Sequence, residues 1–294
     1  MLSMLINAIP FPDWISPNIF SIGNFSIKWY GISYIVGIYA AYFYAKNVCS
    51  KKELFIPEGV TRGIAQVPNK KFLEDMVFYL LIGIILGGRI GSILLYNTSQ
   101  YIEDPIRIFK IWEGGMSFHG GFAGVIIAVI LLARSRKVEL WRVADMAAIG
   151  APLGLFMVRL FGNFFNQELY GRPTDVAWGF IFNSDPLSTP RHPSQLYEAA
   201  LEGLVLWALI RLASHKFKAL TKPGICAGIF FLGYGVFRIF VEFFREPDPI
   251  PQFGDITRGM AYSMPLVVVG LAIIIWAKRR PPVGVRYMKD SEDA

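Results

Sequence analysis

The chain has 294 residues, 54% hydrophobic and only 17% charged, with a mean hydropathy of +0.43. A soluble protein of this size carries about a quarter charged residues, so the composition argues against a soluble globular enzyme and for a polytopic membrane protein. The formal net charge of +7 is spread over separate loops, which argues against nucleic acid as a partner.

The first basic residue is Lys28, so the N-terminus lacks the basic n-region of a cleavable signal. "PFPDWISPNIF" reads as an outer segment at the membrane interface, with Trp14 and Phe20 suited to the headgroup zone. Runs almost free of charge follow at 27–45, 76–96, 120–133, 143–165, 199–213, 225–244 and 261–277. Each is long enough, or nearly so, to cross a hydrocarbon core, which takes roughly 17–25 helical residues. Helices satisfy their own backbone in lipid, so the expectation is an all-α polytopic membrane protein with seven transmembrane helices.

Lys and Arg set the orientation. With the first span running inward, the inner loops 46–71, 134–142, 211–222 and 278–294 hold 19 basic residues. The outer loops hold six: Arg107, Lys110, Arg172, Arg191, Arg245 and Arg258. This is a positive-inside signal, with the N-terminus outside and the C-terminus cytoplasmic. Two outer segments, 97–117 and 167–192, exceed simple turns. The second, with strand-like pieces around 177–183, reads as a small outer cap inserted between spans four and five of a single integral membrane domain, 1–294. No internal repeat is evident, which weakens an inverted-repeat transporter reading.

Several ionisable residues fall inside the spans, toward their outer ends: Arg89 in span two, Arg159 in span four, Arg238 and Glu242 in span six. Glu198 and Glu202 enter span five from outside, and Arg245 stands at the outer rim. Burying a guanidinium there costs several kcal/mol, so these groups need each other, water or an anionic ligand. A purely structural account is available: Arg238 can pair with Glu242 one turn on, and Arg89 with Glu198 or Glu202. It suits Arg159 least, whose helix offers no acid before Glu168, and which is followed by Asn163 and Asn166. Guanidinium and amide groups at one depth suit phosphate, which arginine binds as a fork. His119, in "GGMSFHGGFAGV", opens span three at the same level between glycines. Tyr30, in "WYG", starts span one there. The three histidines show no zinc-binding spacing, and Cys49 and Cys226 suggest neither a disulfide nor a metal site.

"WYG" (29–31), "GGRIG" (87–91), "GGMSFHGG" (114–121), "NFFNQELYGR" (163–172), "RHPSQLYE" (191–198) and "YGVFRIFVEFFREPD" (234–248) together resemble the bacterial prolipoprotein diacylglyceryl transferase family, over about residues 20–278. The resemblance implies transfer of a diacylglyceryl group from phosphatidylglycerol to the lipobox cysteine of a prolipoprotein signal peptide, in the bacterial inner membrane. The product is a thioether, and glycerol phosphate is released. It implies functional roles for His119, Arg159, Arg238, Tyr30, Asn163, Gly171 and Tyr234; with Arg89 and Arg245 added from their depth, the expected site has His119, Arg238 and Tyr30 as catalytic residues and Arg159, Asn163, Gly171, Arg89, Arg245 and Tyr234 as substrate-binding ones. The family usually has two residues between the arginine and the asparagine of G-R-x-[G/A]-N-F. Here "VRLFGNF" has three, and Val158 replaces the glycine, so the helix carries a one-residue bulge or Arg159 is rotated.

The inventory fits that chemistry. A thiolate attacks the glycerol carbon bearing the phosphate ester, charge grows on the leaving oxygen, and fixed guanidinium groups stabilise it. A neutral His119 can take the thiol proton. No metal or cofactor is required. The rival reading is a transporter or channel for an anionic solute, with the arginines as a binding ring. The one-sided depth of the charges favours the enzyme. A purely structural membrane scaffold is the third reading, and apolar packing would serve a scaffold at least as well.

Overall fold

The computed structural model describes residues 8–23, 25–55, 67–95, 97–110, 115–247 and 256–280. Gly114, Arg62, Arg286 and Lys289, used in the sequence reading, lie outside the described residues. In chain order the elements are β1 (Ile9–Pro10), β2 (Asn18–Ile22), β3 (Phe25–Lys28), α1 (Trp29–Ser50), α2 (Lys70–Leu95), α3 (Thr98–Glu103), α4 (Phe118–Ser135) and α5 (Leu140–Met157). A π-helical stretch, Val158–Phe164, continues α5. Then come β4 (Phe180–Ile181), β5 (Pro190–Arg191), α6 (Ser194–Glu198), a second π-helical stretch (Ala199–Val205), α7 (Leu206–His215), α8 (Ile225–Glu242) and α9 (Arg258–Arg279).

Among the described residues, four helical stretches are long and apolar enough to cross a membrane: Lys70–Leu94, Leu140–Phe164, Ile225–Glu242 and Arg258–Arg279; the apolar helix His119–Ser135 is shorter. The sequence reading expects seven. Two of the differences have a physical cause. Tyrosines 30, 34, 39, 42 and 44 lower the hydropathy of α1, and Glu202 and Arg211 lower that of the fifth run.

The chain forms two compact units, residues 1–45 with 145–282, and 46–144 with 283–294. In the second, α2 and α4 are joined backbone to backbone. Gly83, Gly87 and Gly91 recur once per turn and face Gly120 and Gly124; a Cβ on Gly87 would fall 2.8 Å from the Gly124 Cα. Small residues at this spacing let apolar helices approach until their backbones touch. Ser117 starts α4: its Oγ accepts from the Gly120 N–H at 3.1 Å, and its own N–H donates to the Gly88 carbonyl at 2.9 Å.

In the first unit α8 packs on α9 through Gly228, Gly235 and Gly270. The start of α8 is held by the buried Asp145, whose carboxylate accepts from Gly224 N–H at 2.8 Å and Ala227 N–H at 2.9 Å. The N-terminal segment and the stretch between the two π-helical segments, the cap, form a small sheet in the order β1-β4-β5, in which β1 pairs parallel with β4, and β4 antiparallel with β5. An aromatic core of Phe11, Phe164 and Phe182 fastens this sheet to the end of the first π-helical stretch. The strands β2 and β3 form a hairpin that leads directly into α1.

Candidate active site

The "VRLFGNF" stretch is the π-helix Val158–Phe164. Its i→i+5 hydrogen bonding takes up one residue more per turn than an α-helix, and such single-turn bulges cluster at functional sites. The extra residue is therefore absorbed as a bulge. Arg159 and Asn163 stay on one side of the helix, and Arg159 Nη1 donates to Asn163 Oδ1 at 3.2 Å. The bulge rests on the start of α1. Trp29 lies against Phe161 and Phe165, and a Cβ on Gly162 would sit 3.2 Å from the Tyr30 ring. The Tyr34 hydroxyl donates to the Tyr30 oxygen at 3.3 Å.

Glu198 is the hub. Its Oε2 lies 3.2 Å from Arg159 Nε, and its Oε1 lies 3.4 Å from Arg238 Nη1 and 3.6 Å from Arg245 Nη1. Glu202, one turn on and in the second π-helical stretch, lies 3.7 Å from Arg159 Nη2. Glu242 lies 2.6 Å from Arg238 Nη1. Three guanidinium groups and three carboxylates thus offset one another in charge, which is what makes their burial affordable.

The layering of this cluster matters. The Glu198 and Glu202 side chains have no exposed surface, whereas those of Arg159, Arg238 and Arg245 are 16%, 11% and 12% exposed. The acids lie behind and the arginines in front. Arg238 makes both of its ion contacts through Nη1. Its Nε–Nη2 edge has no protein acceptor among the described residues, so it is a fork available for a bidentate oxyanion. Tyr234 stands one turn before Arg238 on α8 and stacks on Phe230.

The "NFFNQELYGR" motif folds into a tight turn, with Gln167 and Leu169 at φ 55° and 58°. Side chains from the adjoining segments pin it: Gln195 Nε2 donates to the Glu168 carbonyl at 2.6 Å, Ser194 Oγ to the Leu169 carbonyl at 2.8 Å, and Ser184 Oγ to the Gln167 carbonyl at 2.7 Å. Gly171 pairs with Arg245 as an isolated antiparallel bridge. A side chain there would meet His192 Cβ at 2.7 Å as well as the Phe244 carbonyl, so only glycine lets these chains close.

Beside the bridge, Arg191 is held by Asp185 through two contacts, Nε–Oδ2 at 2.6 Å and Nη2–Oδ1 at 3.2 Å. Burial pushes the Asp185 carboxyl upward. The Arg191 guanidinium, the Leu187 N–H and the Thr189 hydroxyl outweigh this and hold it below the ordinary carboxylate range. Burial shifts His192 downward. Trp178 Nε1 donates to the Tyr197 oxygen at 2.8 Å, and that oxygen is in hydrogen-bond contact with His192 Nδ1 at 3.1 Å.

Of the residues singled out from sequence, Tyr30, Arg159, Asn163, Gly171, Tyr234, Arg238 and Arg245 belong to the first unit, and Arg89 and His119 to the second. Arg89 is buried and donates to the carbonyls of Arg107, Ile108, Lys110 and Gly115, with the Tyr101 ring 5.1 Å from its guanidinium carbon. It ties down the segment that precedes α4. His119 lies in the first turn of α4 and is exposed. The sequence reading names Glu198 and Glu202 as buried acids at the right depth but leaves them out of the site. Their signal is two acids one turn apart at the mouth of an apolar run. Among the described residues no cluster of three or more His, Cys, Asp or Glu has metal-binding geometry.

Comparison with known proteins supplies the family. Residues 17–276 match the prolipoprotein diacylglyceryl transferase family. A Mesorhizobium japonicum protein named phosphatidylglycerol–prolipoprotein diacylglyceryl transferase is 45% identical over 279 residues, covering 92% of this chain and 93% of the relative. Proteins of the same name from Brucella anthropi and Rickettsia rickettsii are 46% and 48% identical, covering 93% and 90% of this chain and 94% and 97% of theirs. With most of both chains aligned in each case, this chain belongs to the prolipoprotein diacylglyceryl transferase family.

Proposed function

We propose that the protein transfers the diacylglyceryl group of phosphatidylglycerol to the cysteine thiol of a prolipoprotein lipobox. The observation that carries the reading is the layered cluster: three partly exposed arginines backed by Glu198, Glu202 and Glu242, built from three of the family's motifs. The rival reading, a carrier or channel for an anionic solute, draws no support from the relatives, which bear a transferase name.

In this reading the lipid phosphate lies on the front of the arginine cluster, with the Nε–Nη2 edge of Arg238 as its fork. The thiolate sulfur attacks the glycerol carbon that carries the phosphate ester. The carbon–oxygen bond breaks, the thioether forms, and the electron pair stays on the departing phosphate oxygen of glycerol phosphate. That oxygen gains charge in the transition state, so fixed cations lower the barrier more than they stabilise the ground state. The carboxylates hold the guanidinium planes in place before the lipid arrives. Asn163, oriented by Arg159, and Tyr234 extend the polar wall. Gly171 acts through its backbone, by letting the Arg245 chain close against the cap. Tyr30 supports the bulge and supplies a second proton-bearing group. Arg89 contributes by fixing the outer segment ahead of α4. His119 takes the thiol proton; its reading as a base rests on the family motif and on its place in the first turn of α4.

Seven spans, an inner-membrane location, an outer N-terminus and a cytoplasmic C-terminus complete the proposal, on the strength of the charge distribution between loops. The deciding experiment incubates the purified protein with phosphatidylglycerol labelled in the diacylglyceryl part and a lipobox peptide. Label should appear on the peptide in thioether linkage, with release of glycerol phosphate, and a Cys→Ser peptide should remain unlabelled. Absence of transfer to the cysteine peptide would overturn the reading.

A further inference from the structure

Arg191 is not part of the arginine cluster, yet its guanidinium is one of the most fully engaged in the first unit. It is 6% exposed, so it does not present itself to a substrate. One edge is fixed by Asp185 in the two contacts described above, and its face lies 4.8 Å from the centre of the Tyr170 ring. The remaining nitrogen, Nη1, donates to the Gly171 carbonyl at 3.3 Å and to Glu246 Oε2 at 2.9 Å. These two acceptors belong to the two chain segments that bracket Arg245. Gly171 is the bridge partner of Arg245, and Glu246 is the residue after it.

The cap grips the same short stretch at further points. Arg172 N–H donates to the Phe244 carbonyl at 2.9 Å, and Arg172 Nε to the Arg245 carbonyl at 3.0 Å. The rings of His192 and Tyr197 both contact Phe244 edge-on. Residues 244–246 lie beyond the end of α8 at Glu242. The last turn of α8 still holds one side of the stretch, where the Phe244 and Arg245 N–H groups donate to the Val241 carbonyl at 2.9 and 3.1 Å; the cap holds the other, and Arg245 Nη1 reaches Glu198 from there at 3.6 Å.

We infer that Arg191 is a positioning residue for Arg245: by clamping Gly171 and Glu246 with a single nitrogen, it fixes the direction from which Arg245 joins the arginine cluster. The inference rests on the reading of Arg245 as part of the lipid-phosphate grip. It makes the cap a working part of the site, because the Asp185–Arg191 pair acts on Arg245 through Gly171 and Glu246.

A double-mutant cycle on the full-length protein, read as kcat/KM for phosphatidylglycerol with a saturating lipobox peptide, tests this. Glu246→Gln removes the charge from one arm of the clamp at a half-exposed side chain and spares the fold. Arg191→Lys removes the fork. Residues that act through one another show coupling, so each substitution should lower kcat/KM about three- to tenfold in the parent, and by less than about twofold when Arg245 is already Gln. Equal factors in the two backgrounds would overturn the inference, since a general loosening of the cap would act whether or not Arg245 is present. No effect of Glu246→Gln or Arg191→Lys in the parent would overturn it as well. Failure of the functional reading looks different: the unsubstituted protein would then transfer nothing from phosphatidylglycerol to the cysteine peptide.

Discussion

Arg159 donates to Asn163 across a π-helical turn, 3.2 Å from Nη1 to Oδ1. The pair stands four residues apart where the family usually has three, and the wider turn keeps both side chains on the site. If the bulge only absorbs the extra residue, deleting Leu160 should let the segment close into an α-helix with the usual spacing. Turnover should then stay within about threefold of the parent, as expected when a π-bulge reverts to regular helix without moving its functional side chains. Loss of all turnover in a folded deletion variant would show that the bulge itself shapes the site.

Lysine should replace neither Arg159 nor Arg238. Arg159 spreads its contacts over Nε, Nη1 and Nη2, and a single ammonium cannot serve three directions. Arg159→Lys and Arg238→Lys should each cut kcat by about 10²- to 10³-fold, the cost typical of removing one transition-state donor. Turnover of either variant close to the parent would mean that only charge is needed, as in a structural ion pair.

The contribution of Asp185 to the stability of the cap should be lost only in strong acid. Asp185 has its carboxyl held below the ordinary range in the folded protein. A depressed carboxylate contributes stability that is present above its unfolded value, about 3.9, and is lost as pH falls through the folded value. Melting of the parent and of Asp185→Asn, followed in detergent from pH 7 downward, should differ by a constant amount to about pH 4 and converge below it. Convergence already between pH 7 and pH 5 would contradict the assignment.

The proposal for His119 is a kinetic one. As a general base it contributes about 10²- to 10⁴-fold, so His119→Gln should cut turnover by that order while phosphatidylglycerol binding is kept. The deficit should shrink as pH approaches the thiol's own value of about 8.5, because thiolate then forms without help. A deficit constant from about pH 6 to pH 9, or lipid binding lost in step with turnover, would move the base to Tyr30 or to water.

The proposed orientation is checked by reporters fused at positions 48, 105, 185 and 216. Those at 48 and 216 should report cytoplasm, and those at 105 and 185 the outer side, because basic residues concentrate in the loops that contain 48 and 216. A reversed pattern would put the arginine cluster against the wrong leaflet.

Much of the site was legible before the fold. The polar layer showed itself as arginines and glutamates in apolar runs, and one residue too many between Arg159 and Asn163 announced the bulge. What stayed hidden depends on partners that leave no trace in a single chain. Glu198 gathers three arginines because α6 and its π-helical continuation turn it toward α5 and α8, and no local pattern specifies that rotation. Arg89 illustrates the opposite case. It reads as a phosphate ligand because acceptors are sought among acidic side chains, whereas its acceptors are backbone carbonyls, which every residue possesses. The clamp of Arg191 on Gly171 and Glu246 spans 20 and 55 residues of sequence, beyond the reach of any spacing argument.

The seam between α2 and α4 also restricts traffic. A phospholipid brings two hydrocarbon chains, and a gateway between helices must part by at least the width of one. Where Gly87 meets Gly124 and Gly91 meets Gly120, the backbones are already too close for a single methyl group, and the seam of α8 with α9 at Gly228, Gly235 and Gly270 is similarly tight. Parting either would separate helices along several turns of contact. Each seam therefore acts as a sealed wall: no lipid chain passes between α2 and α4, or between α8 and α9.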